Sequence, residues 1–92
     1  MIRTFRHRGL KRLYERGERG QVSADHLSRI EDILGRLDFA DAPHALALPG
    51  YNLHRLRGDL RGFWSVRVSG NWRIIFRFKD GEVFDVDLID YH

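Results

Sequence analysis

The chain has 92 residues, 16 Lys and Arg against 13 Asp and Glu, and no cysteine. Such a length allows one small domain and excludes a two-domain enzyme with its own cofactor fold, because a chain this short buries only about two thirds of its unfolded surface. Without cysteine there is no disulfide framework, thiolate zinc site or thiol catalysis, which suits a reducing cytoplasm. No apolar run reaches the length of a signal-peptide core or a membrane span, so a cytoplasmic protein with no membrane partner is expected. The net charge is only +3, yet fourteen of the 16 cations are Arg, whose planar fork matches phosphate. Residues 1–20 hold seven cations against Glu15 and Glu18, whereas residues 80–92 hold five acids and no cation, which implies a polarised surface and a polyanionic partner.

With no repeat, low-complexity tract or linker, residues 1–92 read as a single domain. In chain order, Ile2 and Phe5 open a segment with the pattern of an edge strand. Leu10, Leu13 and Tyr14 then fall at i, i+3 and i+4, the spacing of a short basic helix that Gly17 or Gly20 ends. Ser23 is placed to cap a second helix, on which Leu27, Ile30, Ile33, Leu34 and Leu37 form one apolar stripe while Arg29, Glu31, Asp32 and Arg36 face water. Residues 41–49 read as a loop or single turn carrying Leu46 and Leu48. From Gly50 the period changes from 3.6 to 2, and three segments alternate: Leu53 to Arg57, Trp64 to Ser69, and Trp72 to Phe78. Gly70-Asn71 and Asp80-Gly81 are two-residue hairpin turns that need positive φ, and they join the last three strands as an antiparallel meander ending in Phe84, Val86 and Leu88. The expected fold is α+β, with two N-terminal helices packed on one face of a small antiparallel sheet.

On the face opposite the helices, Arg67, Arg73 and Arg77 project from adjacent strands, so three guanidinium groups are expected to converge. Any one of them is as well explained by solvation as by function, but gathering three against their mutual repulsion fits contact with a nucleic-acid backbone. The end of the chain, Asp90-Tyr91-His92, puts a carboxylate, a phenol and an imidazole at the tip of a strand that reads as central, and a carboxylate beside an imidazole suits proton transfer near neutral pH. A frayed terminus is the stronger explanation when this tripeptide stands alone. Strand alternation sends His54 and Arg57 to opposite faces unless a bulge intervenes. His7, His26 and His44 have no metal-ligand spacing, so neither a metal nor another cofactor is expected. Arg8, Lys11 and Arg12 form a solvated helix face, with nucleic-acid docking as the functional reading.

The segments LPGYNLHRLRGDLRGFWSVRVSGNWRIIFRF and DVDLIDYH, preceded by MIRTFRHRGLKRLYERG, resemble the HigB branch of the RelE/ParE toxin superfamily over essentially the whole chain. The resemblance implies a RelE-like toxin that cleaves messenger RNA in the ribosomal A site and is neutralised by a helix-turn-helix, HigA-like antitoxin. Carried over by position, the family's functional residues fall on His54, Arg73, Asp90, Tyr91 and His92, with a basic residue at position 57. Arg57 departs there from the lysine common in the family; a guanidinium stays protonated, so its role is electrostatic. The implied chemistry is metal-free attack of a 2′-hydroxyl on the adjacent phosphate, with His92 the preferred proton-transfer group, Asp90 its orienter or the base, Arg73 and Arg57 stabilising charge, and Tyr91 or His54 assisting. Arg67, Arg77, Arg8, Lys11 and Arg12 are the expected RNA and ribosome contacts. The alternative on the same fold is a ParE-like toxin that binds and poisons DNA gyrase, which needs no proton-transfer set.

Overall fold

The computed structural model describes residues 1–91. Helix α1 spans Arg8–Arg16 and buries Gly9, Leu10 and Leu13. Its first turn is capped by an imidazole: His7 Nδ1 accepts the Leu10 N–H at 3.1 Å. Gly17, at φ +68°, closes the helix in the left-handed conformation that a Cβ disfavours. Gly9 is required for another reason, since a Cβ there would stand 2.9 Å from the Gln21 carbonyl oxygen, where the following loop folds back on α1.

Helix α2 spans Leu27–Phe39, starting later than Ser23 led us to expect, with His26 as its N-cap. Ser23 Oγ accepts the Asp25 N–H and the Ser23 carbonyl accepts the His26 N–H, so the serine caps a separate tight turn ahead of the helix. Ile30, Ile33, Leu34 and Leu37 form the buried stripe. Arg29 departs from the expected water-facing set, because its guanidinium lies 4.3 Å from the centre of the Tyr51 ring.

After a 3-10 turn at Pro43–Leu46 come strand β1 (His54–Arg55), a second 3-10 turn (Gly58–Leu60), and strands β2 (Trp64–Ser69), β3 (Trp72–Lys79) and β4 (Glu82–Asp90). They form one four-stranded antiparallel sheet in the order β1-β2-β3-β4. Gly70 at φ +55°, and Asp80 and Gly81 at +53° and +76°, make the two hairpin turns. The first strand is much shorter than the alternation of residues 53–57 suggested, because the chain leaves the sheet at Leu56 and turns through Gly58. Nor is β4 central. It is the last strand, and among the described residues its outer edge is bridged by Ile2 at Val83 and by Phe5 at Val86, both in parallel.

The helices cover one sheet face, where Val66, Ile74, Phe76, Val83 and Val86 join the α2 stripe in the main core. The other face is not wholly wet: Ile75 is buried there beneath Leu56 and Phe63, from the segment that links β1 to β2. Among the described residues no helix is long and apolar enough to cross a membrane.

Candidate active site on the arginine-bearing face

The early exit of the chain from β1 creates the site. His54 pairs with Ser65 across the sheet, and the turn that follows swings Arg57 back, so that both line one cavity of about 360 Å³. The expected separation of His54 and Arg57 onto opposite faces therefore does not hold. Ser65, Arg73 and Tyr91 complete the wall with Arg55 and Leu56.

His54 Nδ1 lies 2.6 Å from the Asn52 carbonyl oxygen. A carbonyl only accepts, so Nδ1 carries the proton in this contact, and in the neutral imidazole Nε2 is the acceptor. Arg73 is half-buried and held by its own hairpin: Nη1 donates to the Gly70 carbonyl at 2.7 Å and to the Trp72 carbonyl at 3.2 Å. With Nη1 fixed in this way, the Nε and Nη2 donors of the same guanidinium suit an oxyanion, since little side-chain freedom is left to lose. Tyr91 is exposed but not frayed, because its N–H donates to the Asn71 carbonyl at 2.8 Å and so fastens the end of the chain to the β2–β3 turn.

Asp90 lies elsewhere. It stands opposite Trp72, one residue out of phase with Tyr91, and does not line the cavity. His92 falls outside the described residues. The expected convergence of three arginines is only partly met. Arg67 and Arg73 are direct cross-strand neighbours. Arg77 lies four residues further along β3, beyond Ile75, where it pairs with Asp85 at 3.8 Å and lies 5.5 Å from the Phe63 ring centre. A bulge between Ile75 and Arg77, with Asp85 at φ +56°, brings that acid to the arginine.

The second basic feature is a groove on α1 lined by Arg8, Lys11, Arg12 and Arg16, together with Arg6. Sequence reading missed Ser65, which a period-2 pattern marks only as a polar-face residue, and Arg55, which stacks on Trp64 at 5.2 Å. It also missed Arg29, whose Nη2 donates to the Gly50 carbonyl at 2.7 Å and, with Nε, to the Arg67 carbonyl. The Arg67 N–H in turn donates to the Tyr51 carbonyl at 2.7 Å, so the loop leading to His54 and the strand bearing Arg67 are tied together from α2. Among the described residues no group of three His, Cys, Asp or Glu is placed to hold a metal ion.

Two helices on one side of a four-stranded antiparallel meander is the architecture of the RelE-like toxins. The chain superposes on the YoeB toxin in a solved YoeB-YefM complex from Staphylococcus aureus with a TM-score of 0.62 at 17% identity, covering 100% of this chain and 95% of that one. It superposes on a YoeB dimer from the same organism at 0.60 and 15% identity, covering 99% and 94%. The particular family follows from the sequence: residues 3–92 match the RelE-like toxin of type II toxin-antitoxin system HigB, and the chain belongs to that family. Endoribonuclease HigB of Proteus vulgaris is 42% identical over 92 residues, the whole of both chains. Toxin HigB-1 of Vibrio cholerae is 35% identical over 86 residues, 88% of this chain and 87% of that one. As the toxin of such a system, the protein has an antitoxin as its partner.

Proposed function

We propose that this toxin is an endoribonuclease that cuts messenger RNA in the A site of the translating ribosome, in the cytoplasm, without a metal ion. The observation that carries the reading is the single cavity lined by His54, Arg57, Arg73 and Tyr91. The full-length similarity to an endoribonuclease supports it.

In the reaction the 2′-hydroxyl loses its proton as its oxygen bonds to the adjacent phosphorus. The bond from phosphorus to the 5′-oxygen breaks, leaving a 2′,3′-cyclic phosphate and a 5′-hydroxyl. His54, with Nδ1–H held by the Asn52 carbonyl, takes the hydroxyl proton on Nε2. Arg73 and Arg57 offset the charge of the crowded phosphorane. Tyr91 positions the phosphate, His92 donates to the departing 5′-oxygen, and Asp90, which lies outside the cavity, acts only through the end of the chain. Arg67 extends the cation set toward the message, and Arg8, Lys11 and Arg12 dock on ribosomal RNA. The antitoxin is a helix-turn-helix, HigA-like protein.

The test is to map message 5′ ends after incubating the toxin with translating ribosomes. Discrete cuts that need the ribosome, and that occur with metal-free toxin when magnesium is kept for the ribosome, are expected. DNA damage without such cuts would instead mark a gyrase poison. Within the reaction, His92→Ala is expected to lower the single-turnover rate on pre-bound ribosomes by about 10² or more with antitoxin binding unchanged. A His92→Ala toxin that cuts at the parent rate would move the donor role to Tyr91.

A further inference from the structure

Phe63 is buried, 7% exposed, yet two arginines from distant parts of the chain meet at its ring. The Arg6 guanidinium lies 5.6 Å from the ring centre and that of Arg77 lies 5.5 Å from it. Both are surface residues. Arg6 is set there by the backbone, because its N–H donates to the Val86 carbonyl at 2.8 Å as the N-terminal segment leaves the sheet edge. Arg6 makes no ion pair among the described residues, and the pairing of Arg77 with Asp85 is long at 3.8 Å.

Bringing two cations to one ring costs repulsion that the ring's electron-rich face only partly offsets. Asp85 offsets part of the charge on Arg77, Arg6 has no such partner among the described residues, and a bound anion offsets what is left. A guanidinium laid against a ring still presents its N–H edge outward, in the fork that matches two phosphate oxygens. The buried ring cannot itself stack a base, so what is recognised is charge rather than nucleobase identity. Arg77 stands on the same sheet face as Arg73, ~13 Å away along β3 at about 3.3 Å per residue, so its phosphate is not the one being cut. Arg6 in turn lines the α1 groove with Arg8, Lys11 and Arg12, whereas Arg77 lines a separate cavity with Arg3, Lys79, Asp80, Glu82 and Asp85, so the pair adjoins the groove and not the His54 cavity.

We propose that Arg6 and Arg77, clamped on Phe63, form a second phosphate-binding subsite that grips the RNA backbone away from the scissile bond. This rests on the ribonuclease reading, from which it takes the identity of the polyanion as RNA.

The experiment measures the affinity of the full-length toxin for ribosomes carrying a 2′-O-methylated message, which cannot be cut, as a function of salt. Arg6→Met and Arg77→Met keep an apolar side chain against the ring but remove the charge, and Arg6→Lys keeps the charge. Each Met variant is expected to bind severalfold more weakly and to lower the slope of log K against log salt by about 0.7 to 0.9, one phosphate's worth. Arg6→Lys retains most of the slope. On cleavable message the loss appears in KM, with the saturated rate kept. A smaller slope already on vacant ribosomes assigns the phosphate to ribosomal RNA; one seen only with message present assigns it to the message. Met variants that are folded, by unchanged thermal unfolding, and that keep the parent slope overturn the subsite. Failure of the parent toxin to cut message would overturn the ribonuclease reading alone, because the slope is read without cleavage.

Discussion

The two faces of the sheet are made from alternate residues of the same strands and are put to opposite uses. On the helix side, Val66, Ile74 and Phe76 are fully buried and belong to one core with the apolar stripe of α2. On the other side Ser65 and Arg73 line the cavity, Arg67 is the cross-strand neighbour of Arg73, Arg77 pairs with Asp85, and the apolar cover shrinks to Leu56, Phe63 and Ile75. The small cluster is too thin to hold the fold, but it anchors the β1–β2 segment that carries Arg57 and supplies the ring on which Arg77 lies. Stability and chemistry are thus separated by one residue of register, and a substitution should damage one while sparing the other.

The largest effect is expected from breaking the helix side. Phe76 is 0% exposed, and Phe76→Ala should cost about 3–5 kcal/mol, a large share of the roughly 5–15 kcal/mol that holds such a domain. Urea unfolding measures this, and any loss of cleavage should follow the unfolded fraction. A loss under about 1 kcal/mol would mean that the core collapses around the gap.

Next comes the converse. Arg73→Ala should lower the single-turnover rate by about 10² or more while costing under about 1 kcal/mol of stability, since the hairpin carbonyls it releases are open to water. Arg73→Lys should restore only part of the rate, because an ammonium cannot reproduce the fork held by Gly70 and Trp72. Comparable damage to folding and rate in Arg73→Ala would show that the two faces are not independent.

This division was legible in the sequence wherever one periodicity ran long enough. The α2 stripe, the three-strand meander and its two turns could be read because apolar spacing and turn chemistry agree there. Three features could not be read, each for a physical reason. The length of β1 was hidden because His54-Arg55-Leu56 alternates as a strand does, whereas the chain departs to bury Leu56 over Ile75. The start of α2 was misplaced because a serine caps a tight turn as readily as a helix. The position of Arg77 depended on a bulge, and nothing in the spacing of Phe84, Asp85 and Val86 announces the extra residue. At the site, Arg73, Tyr91 and His54 stood out from strand alternation and the terminal tripeptide and the family resemblance joined them with Arg57, while their meeting in one cavity follows from that unforeseen turn after β1.

A smaller effect tests how α2, on the stable side, reaches the chemical side. Arg29→Ala removes the donors to the Gly50 and Arg67 carbonyls and the cover over Tyr51. Stability should fall by about 1–2 kcal/mol, and the cleavage rate several-fold with KM little changed, because the loop that sets His54 loses the Arg29 tie to α2. Arg29→Lys, which can reach one carbonyl but not both, should fall between. An Arg29→Ala toxin that loses stability but cuts at the parent rate would confine α2 to a packing role.

The smallest effect is a pH dependence seated at the same junction. The Tyr51 hydroxyl donates to the Asp32 carboxylate. That bond, assisted by Arg36 and Arg29 and opposed by burial, holds Asp32 below its ordinary value, while burial followed by the Asp32 contact raises the Tyr51 hydroxyl above its own. A depressed carboxyl pKa contributes stability that is present above the unfolded aspartate value of about 3.9 and is lost as the pH falls through the lower folded value. A raised phenol pKa contributes stability that is present below about 10 and is lost as the pH rises through the folded value. The pair therefore supports the fold between these limits and fades outside both. Asp32 is itself exposed, so its share is expected to be about 1 kcal/mol or less. The measurement is the difference in unfolding free energy between the parent and Asp32→Asn, which cancels the other titrating carboxylates. That difference should be constant from about pH 5 to 9 and shrink from pH 5 toward pH 3. A difference that stays flat down to pH 3 would mean that the Tyr51 contact does not favour the ionised carboxylate, and that Arg29 alone joins α2 to the loop bearing His54.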